Sequence, residues 1–329
     1  MASLLKSNYN PTKIAAIIPC FNEAENLIPL YNAIKEELKC YQYEIVFVND
    51  GSTDRTLDIL KSIHATDDNV SYIDLSRNFG HQNALKAGLD NTFADCLITI
   101  DGDFQHPPNV ISKLIEKWNE GFHVVNTQRI DTNHISVFKR ITSVFFYRII
   151  NFISKDKLIR NGADFRLLDK KVVDIVRKMN ENEPFLRGMI SWAGFSQTCI
   201  SFEADKRLYG KSKYSLRKMV SLSLKGITSS TINPLRLSSG IGFLFSIMSF
   251  IYGFYAIYLH FFTNQTILGW TSIIVSFLFI TGLQFIMIGI IGEYVGKSFM
   301  QTKGRPGYII SESRFKIQET LTIGNTIQI

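Results

Sequence analysis

Residues 237–259 and 268–292 contain no Asp, Glu, Lys or Arg, and that constrains the chain more than any other feature. Each run is long enough, as a helix, to cross the roughly 30 Å hydrocarbon core of a bilayer. A single run of this kind also suits a buried core helix. Two of them, joined by a short loop, predict a membrane hairpin, with spans at about 237–260 and 268–294. Their Gly, Ser and Thr are ordinary for membrane helices that pack together, and are compatible with a homo-oligomer. Arg217, Lys218, Lys225 and Arg236 precede the first run, and Lys297, Lys303 and Arg305 follow the second. The loop 260–267 has neither Lys nor Arg. Basic residues favour the cytoplasmic side, so a multi-pass cell (inner) membrane protein with both termini in the cytoplasm is expected.

At 329 residues, the chain has room ahead of these runs for a soluble domain of about 200 residues. The formal net charge of +7 reads as attraction to an anionic leaflet and to phosphate-bearing substrates. No nucleic-acid module is recognisable, so no nucleic-acid partner is expected. The chain is polar up to Lys13, without a secretory signal. Cys20, Cys40, Cys96 and Cys199 form no Cys-x-x-Cys pair; they are expected to be reduced thiols of a cytosolic domain.

Within that domain, apolar strands alternate with amphipathic helices. The first strand, 14–18, is stopped by Pro19 and followed by Cys20-Phe21-Asn22-Glu23-Ala24-Glu25-Asn26. There Asn22 can cap the helix that carries Leu27, Leu30, Ile34 and Leu38, with Glu23 and Glu25 at its positive end. A second strand, 44–48, ends in Asn49-Asp50-Gly51-Ser52, and a third, 70–75, leads into Ser76-Arg77-Asn78-Phe79-Gly80-His81. The fourth ends in Asp101-Gly102-Asp103-Phe104-Gln105, and Pro107-Pro108 stop it from continuing. Such alternation predicts a parallel or mostly parallel sheet with helices on both faces, whose ligands bind at the carboxyl edge. Asp101 and Asp103 suit a hard cation, Mg²⁺ or Mn²⁺, and through it a diphosphate. Alone, the pair equally suits a solvated strand-to-turn junction; the gathering of acidic and amide residues at several strand ends favours the site. No glycine-rich dinucleotide or P-loop fingerprint follows the first strand, and Gln105 breaks the pattern of aspartate-nucleophile phosphatases.

These four motifs, Pro19-Cys20-Phe21-Asn22-Glu23, Asn49-Asp50-Gly51-Ser52, Ser76-Arg77-Asn78-Phe79-Gly80 and Asp101-Gly102-Asp103-Phe104-Gln105, make the chain resemble family 2 glycosyltransferases. It is most similar to those that act on polyisoprenyl phosphates, from about residue 13 to 310. The resemblance implies a GT-A fold at 1–212 and transfer of a sugar from a nucleotide sugar to a polyprenyl phosphate. It implies a nucleotide pocket lined by Pro19, Asn22, Glu23, Glu25, Asp50 and Ser76, with Asp50 on the base and Asp101 near the ribose and metal. Asp103 and Gln105 would be the direct metal ligands. Asp164, in Asn161-Gly162-Ala163-Asp164-Phe165-Arg166, stands where the family has a catalytic base. A phosphate monoester with a second pKa near ~6 is already a nucleophilic oxyanion at neutral pH, so Asp164 is expected instead to orient Arg166, the acceptor or the sugar. The segment 183–192, with Arg187 and Trp192, resembles the part that closes over the donor sugar.

Basic residues beside a glycine in 202–213 read as a phosphate-binding loop next to the membrane. Arg207 is suited to a bidentate grip and Lys211 and Lys213 to point charges, and Arg129 is grouped with them for the acceptor phosphate. Segments 130–159 and 213–236 interleave cations with apolar residues at helical spacing, the pattern of helices lying on the bilayer surface; a helix on the soluble core is the alternative for the first. Residues 297–329 form a cytoplasmic tail, with a short strand expected near Tyr308-Ile309-Ile310. The function expected is inverting transfer, of glucose from UDP-glucose in the first instance, onto undecaprenyl phosphate. Other nucleotide sugars, a non-lipid acceptor and a non-catalytic scaffold are the alternatives. A processive polysaccharide synthase is disfavoured because no Q-x-x-R-W sequence is present.

Overall fold

The computed structural model describes residues 13–130, 162–203, 233–262 and 269–315. Arg207, Lys211 and Lys213, and nearly all of both expected surface helices, lie outside the described residues. The described elements fall into two compact units, one containing the sheet and one containing two long helices.

The first unit alternates β1 (Ile14–Cys20), α1 (Leu27–Leu38), β2 (Tyr43–Asn49), α2 (Thr56–Thr66), β3 (Val70–Leu75), α3 (His81–Asn91), β4 (Cys96–Thr99) and α4 (Val110–Asn119). There follow β5 (Val124–Ile130), β6 (Gly162–Asp169), α5 (Lys170–Lys178), α6 (Leu186–Trp192) and β7 (Gln197–Glu203). The eight-stranded sheet is completed from the far end of the chain by β8 (Ile310–Arg314), in the order β7-β5-β6-β4-β1-β2-β3-β8. The inner strands β4, β1, β2 and β3 are parallel, as expected. The flanks differ: β6 is antiparallel to β4 and β5, and β8 is antiparallel to β3. The expected strand near 308–310 therefore begins at Ile310 and belongs to the same sheet, so the segment read as a tail contributes to the domain.

Alternation along the buried strands divides the core. Ile14, Ala16 and Ile18 face α1, α2 and α4, packing with Leu30, Ile34, Leu60, Leu114 and Trp118. Ala15 and Ile17 face α3, α5 and α6, packing with Ala84, Leu85, Val173 and Ile190. Helix α3 lies especially close to the sheet, because a Cβ on Gly88 would stand 2.3 Å from Ile17 Cγ2. Arg177 of α5 ties down the other end of this helix, donating to the carbonyls of Leu89 (2.8 Å) and Thr92.

The second unit contains α7 (Asn233–Phe262) and α8 (Trp270–Thr302). Helix α7 starts at Asn233, ahead of the apolar run and inside the segment expected to lie on the membrane surface. Phe245 packs on Phe279 with ring centroids 6.1 Å apart, and Gly242 faces Met287. Many large apolar side chains point outward, among them Phe243, Phe254 and Phe285. Among the described residues, Phe279–Thr302 is long and apolar enough to cross a bilayer, and Ser238–Tyr252 is a shorter apolar stretch.

Candidate active site

Short loops at the carboxyl edge are stitched to one another by side chains. The Asn22 N–H donates to Ser52 Oγ (2.9 Å), and Asn22 Oδ1 accepts from the Thr53 N–H (2.8 Å). Asn22 takes a left-handed conformation (φ 55°) to do so. It therefore joins the loops after β1 and β2 and does not cap α1, which begins at Leu27 with Asn26 at its N-cap position. Glu23 accepts from Asn26 Nδ2 (2.6 Å), whereas Glu25 is exposed.

Asp50 is buried, and its two carboxylate oxygens accept from the N–H groups of Phe79 (2.7 Å) and Gly80 (3.0 Å). Burial raises its pKa, although both amides oppose the rise. Gly51 makes this approach feasible: it has φ 65°, and a Cβ there would stand 2.4 Å from the Arg77 carbonyl carbon. Asp50 thus shapes loop 76–80, each of its oxygens accepting one of these N–H groups. Ser76 is exposed on that loop, and its N–H donates to the Ile309 carbonyl (2.9 Å).

The charged centre lies where β4, β6, α3 and α6 converge. Phe165 turns into the core, so its neighbours Asp164 and Arg166 share the opposite face of β6. Asp164 Oδ1 accepts from Arg166 Nη2 (2.7 Å) and Arg187 Nε (2.8 Å). Its Oδ2 accepts from Gln82 Nε2 (3.1 Å) and lies 3.5 Å from His81 Nε2. That imidazole nitrogen is also 3.4 Å from Asp101 Oδ1. Thr99 Oγ donates to the Asp164 carbonyl (2.5 Å), tying the end of β4 to β6.

Burial alone would raise the Asp164 pKa, but Arg187, His81 and Arg166 outweigh it and hold the carboxyl well below the usual range. Burial opposes the charge on His81, and Asp101 and Asp164 overcome that to raise it to about 9. Asp164 is thus a carboxylate with its lone pairs occupied by donors, a poor proton acceptor and a strong anchor for cations.

Asp103 and Gln105 sit on one tight turn, closed by the Gln105 N–H donating to Asp103 Oδ1 (3.2 Å) and by a left-handed Phe104 (φ 59°). Asp101 Oδ1 is buried and faces His81 Nε2 at 3.4 Å without forming a hydrogen bond. Behind the turn, His106 is buried against Phe165, with ring centroids 5.4 Å apart. Among the described residues no group of three or more His, Cys, Asp or Glu forms a metal cage. A hard, oxygen-only set with few protein ligands fits Mg²⁺ or Mn²⁺, which keep positions for water and substrate phosphates.

Of the residues expected from the sequence, Asp101, Asp164, Arg166 and Arg187 come together, and Asp103 and Gln105 share the adjoining turn. Trp192 ends α6 with 72% of its surface exposed, and Arg129 is exposed on β5. Sequence reasoning passed over His81 and Gln82. Their only signal is position, directly after a polar loop at the end of a strand.

The profile of Glycosyl transferase family 2 matches residues 15–176. Over most of their length, curated relatives align with the chain. An uncharacterized glycosyltransferase of Bacillus subtilis is 41% identical over 90% of this chain and 93% of its own. A prophage bactoprenol glucosyl transferase homolog of Escherichia coli is 40% identical over 91% and 98%. The chain belongs to glycosyl transferase family 2. The bactoprenol glucosyl transferase of Shigella phage SfX, 39% identical over 92% of this chain and all of its own, is similar along the same span. Glucosyl-3-phosphoglycerate synthase from Mycobacterium tuberculosis, solved with Mn²⁺, UDP-glucose and phosphoglyceric acid, superposes with a TM-score of 0.51 at 13% identity. It covers 66% of this chain and 78% of its own, a likeness of fold. This family 2 enzyme therefore has a GT-A-like domain built on the mixed sheet described above.

Proposed function

We propose that this family 2 glycosyltransferase transfers glucose from UDP-glucose to a polyprenyl phosphate, undecaprenyl phosphate in a bacterial host, at the cytoplasmic face of a membrane. The observation that carries the reading is the likeness to bactoprenol glucosyl transferases at 39–40% identity over 91–92% of the chain. It extends far beyond residues 15–176 into the long helices. UDP-glucose and Mn²⁺ in the complex of the M. tuberculosis synthase support a UDP-linked donor and a divalent ion.

Strand β8 supports a two-pass anchor. The chain leaves the sheet after β7, runs through α7 and α8, and re-enters the same sheet at β8. A chain that leaves and returns to one side of a bilayer crosses it an even number of times. If Phe279–Thr302 crosses, a second segment between β7 and β8 crosses as well, and the apolar stretch Ser238–Tyr252 of α7 is the one we assign to it. The acceptor's hydrocarbon tail lies in that bilayer, with its phosphate at the surface.

In the proposed mechanism, the acceptor oxyanion attacks the anomeric carbon opposite the departing diphosphate, which inverts the sugar. No proton needs removal from a phosphate already ionised near neutral pH, which agrees with an Asp164 committed to Arg166, Arg187 and Gln82. Those contacts hold the guanidinium groups where negative charge gathers. Asp103 and Gln105 would hold Mg²⁺ or Mn²⁺, which when bound supplies electrostatic stabilisation to the leaving diphosphate. Loop 76–80, fixed by Asp50, and the loop at Asn22 border the nucleotide.

Full-length protein in lipid nanodiscs, incubated with undecaprenyl phosphate and separately with UDP-glucose, UDP-N-acetylglucosamine and GDP-mannose, tests the reading. Glucosyl-phosphoryl lipid from UDP-glucose, abolished by EDTA, is the expected result. Transfer to 3-phosphoglycerate or a soluble sugar, with none to the lipid, would overturn the acceptor. Transfer undiminished by exhaustive chelation would overturn the metal.

A further inference from the structure

Helix α6 has a weakness that another part of the fold repairs. It spans only seven residues, Leu186–Trp192, and Phe185 at its N-cap position provides no side-chain cap. The first N–H groups of a helix have no partner within it, and a helix this short has little stability of its own. The Leu186 N–H instead donates to Gln82 Oε1 (3.2 Å) across from α3. The same side-chain amide donates through Nε2 to Asp164 Oδ2 (3.1 Å). A backbone N–H can only donate and an ionised carboxylate can only accept, so the amide has one orientation that serves both.

Arg187 follows Leu186 directly and donates through Nε to Asp164 Oδ1 (2.8 Å). Gln82 therefore touches both sides of the Arg187–Asp164 ion pair: the carboxylate at one end and the backbone that carries the guanidinium at the other. Its own helix is firmly seated. Gly88 lies against Ile17, Arg177 holds the far end, and Asn83 Nδ2 donates to the Phe79 carbonyl (3.0 Å). Of the three cations around Asp164, Arg166 is 5% exposed, whereas the Arg187 and His81 side chains are 37% and 39% exposed. Arg187 is the guanidinium that a phosphate-bearing substrate can reach.

We propose that Gln82 is a positioning residue, bridging Asp164 to the first turn of α6 so that Arg187 is held in the cleft for sugar transfer. It acts through Arg187 and touches no reacting atom. This inference rests on the reading of the site as a glycosyl-transfer centre.

Gln82→Met keeps the length of the side chain and removes both hydrogen bonds. Gln82→Glu keeps an acceptor for the Leu186 N–H but loses the donor to Asp164 and adds a like charge. Two readouts separate positioning from general stability: steady-state kinetics with UDP-glucose and undecaprenyl phosphate, and hydrogen exchange of the 184–192 peptide in the full-length protein. Gln82→Met is expected to lower kcat about tenfold or more while the donor KM stays within about threefold, with faster exchange confined to 184–192. Gln82→Glu is expected to lower kcat comparably while leaving that peptide protected. A Gln82→Met enzyme within about twofold of wild-type kcat, or with unchanged exchange at 184–192, overturns the proposal. If Gln82→Met does not fold, Gln82→Glu decides: lost rate with protection retained supports it, and full rate overturns it. Absence of any transfer by the wild-type enzyme to undecaprenyl phosphate would overturn the acceptor reading alone. The exchange result for Gln82 stands whichever acceptor is used.

Discussion

At the scale of single residues, the charged centre makes opposite demands on two titrating groups. Asp164 is held well below the usual carboxylate range by Arg187, His81 and Arg166 against the cost of burial. A carboxyl with a lowered folded-state pKa contributes stability above its unfolded value and loses that contribution as pH falls through the folded one. The pH–rate profile of the wild-type enzyme is therefore expected to show no acidic limb from Asp164 between about pH 5 and 8. Asp164→Asn should nonetheless lower kcat by about a hundredfold, because the anchor for two guanidinium groups is lost. A limb in that range, absent in Asp164→Asn, would restore the role of base. His81 runs the other way. Its pKa is raised to about 9, so its contribution is complete below about 6.5 and is lost as pH rises through about 9. Melting temperature is expected to fall over that interval in the wild type and to change less in His81→Gln. Solvent reaches 39% of the imidazole, which reduces the size of the effect.

At the scale of elements, α3 joins what the sequence reads separately. Its apolar positions, its start after Gly80 and the strands on either side are legible from periodicity and turn residues, as is the motif at the end of β4. The meeting of Gln82 with Leu186 is not, since the two are far apart in the chain and the bond depends on how closely α3 approaches the sheet. Gly88 sets that distance. Gly88→Ala is expected to cost about 1–3 kcal/mol in chemical denaturation, since the added methyl would meet Ile17 Cγ2 at 2.3 Å. Asp50 shows the converse limit. Its place at a strand end was legible, but the N–H groups of Phe79 and Gly80 that occupy its oxygens belong to a loop whose path only Gly51 permits. The antiparallel flanks were hidden for another reason: a strand carries its pattern of buried faces in sequence, but not the direction of its neighbour.

At the scale of the whole molecule, the last strand binds the chain's two ends into one sheet. Glu312 accepts from Lys61 and from Tyr72 Oη (2.7 Å each), and Tyr308 Oη donates to Asp90 (2.9 Å). Tyr308, Ile310 and Phe315 pack on the core beneath α3. Tyr308→Phe is expected to cost about 1 kcal/mol of stability, measurable by denaturant unfolding. Truncation after residue 305 should cost more, by stripping β8 from β3 and exposing its edge, and should lower the melting temperature and the yield of unaggregated, detergent-extracted protein. None of these contacts could be read from 308–314 alone, which resembles many short polar strands.

The position of β8 also imposes an order on synthesis. Domains generally form in the order in which the ribosome delivers them, and most of this sheet is delivered before α7. Its outer strand is made only after α8, so until then the edge of β3 stays open while the two long helices are made. An enzyme assembled this way reaches its complete fold only after both long helices have been made. Chains that stall earlier present an unfinished edge, which quality-control proteases and chaperones can recognise.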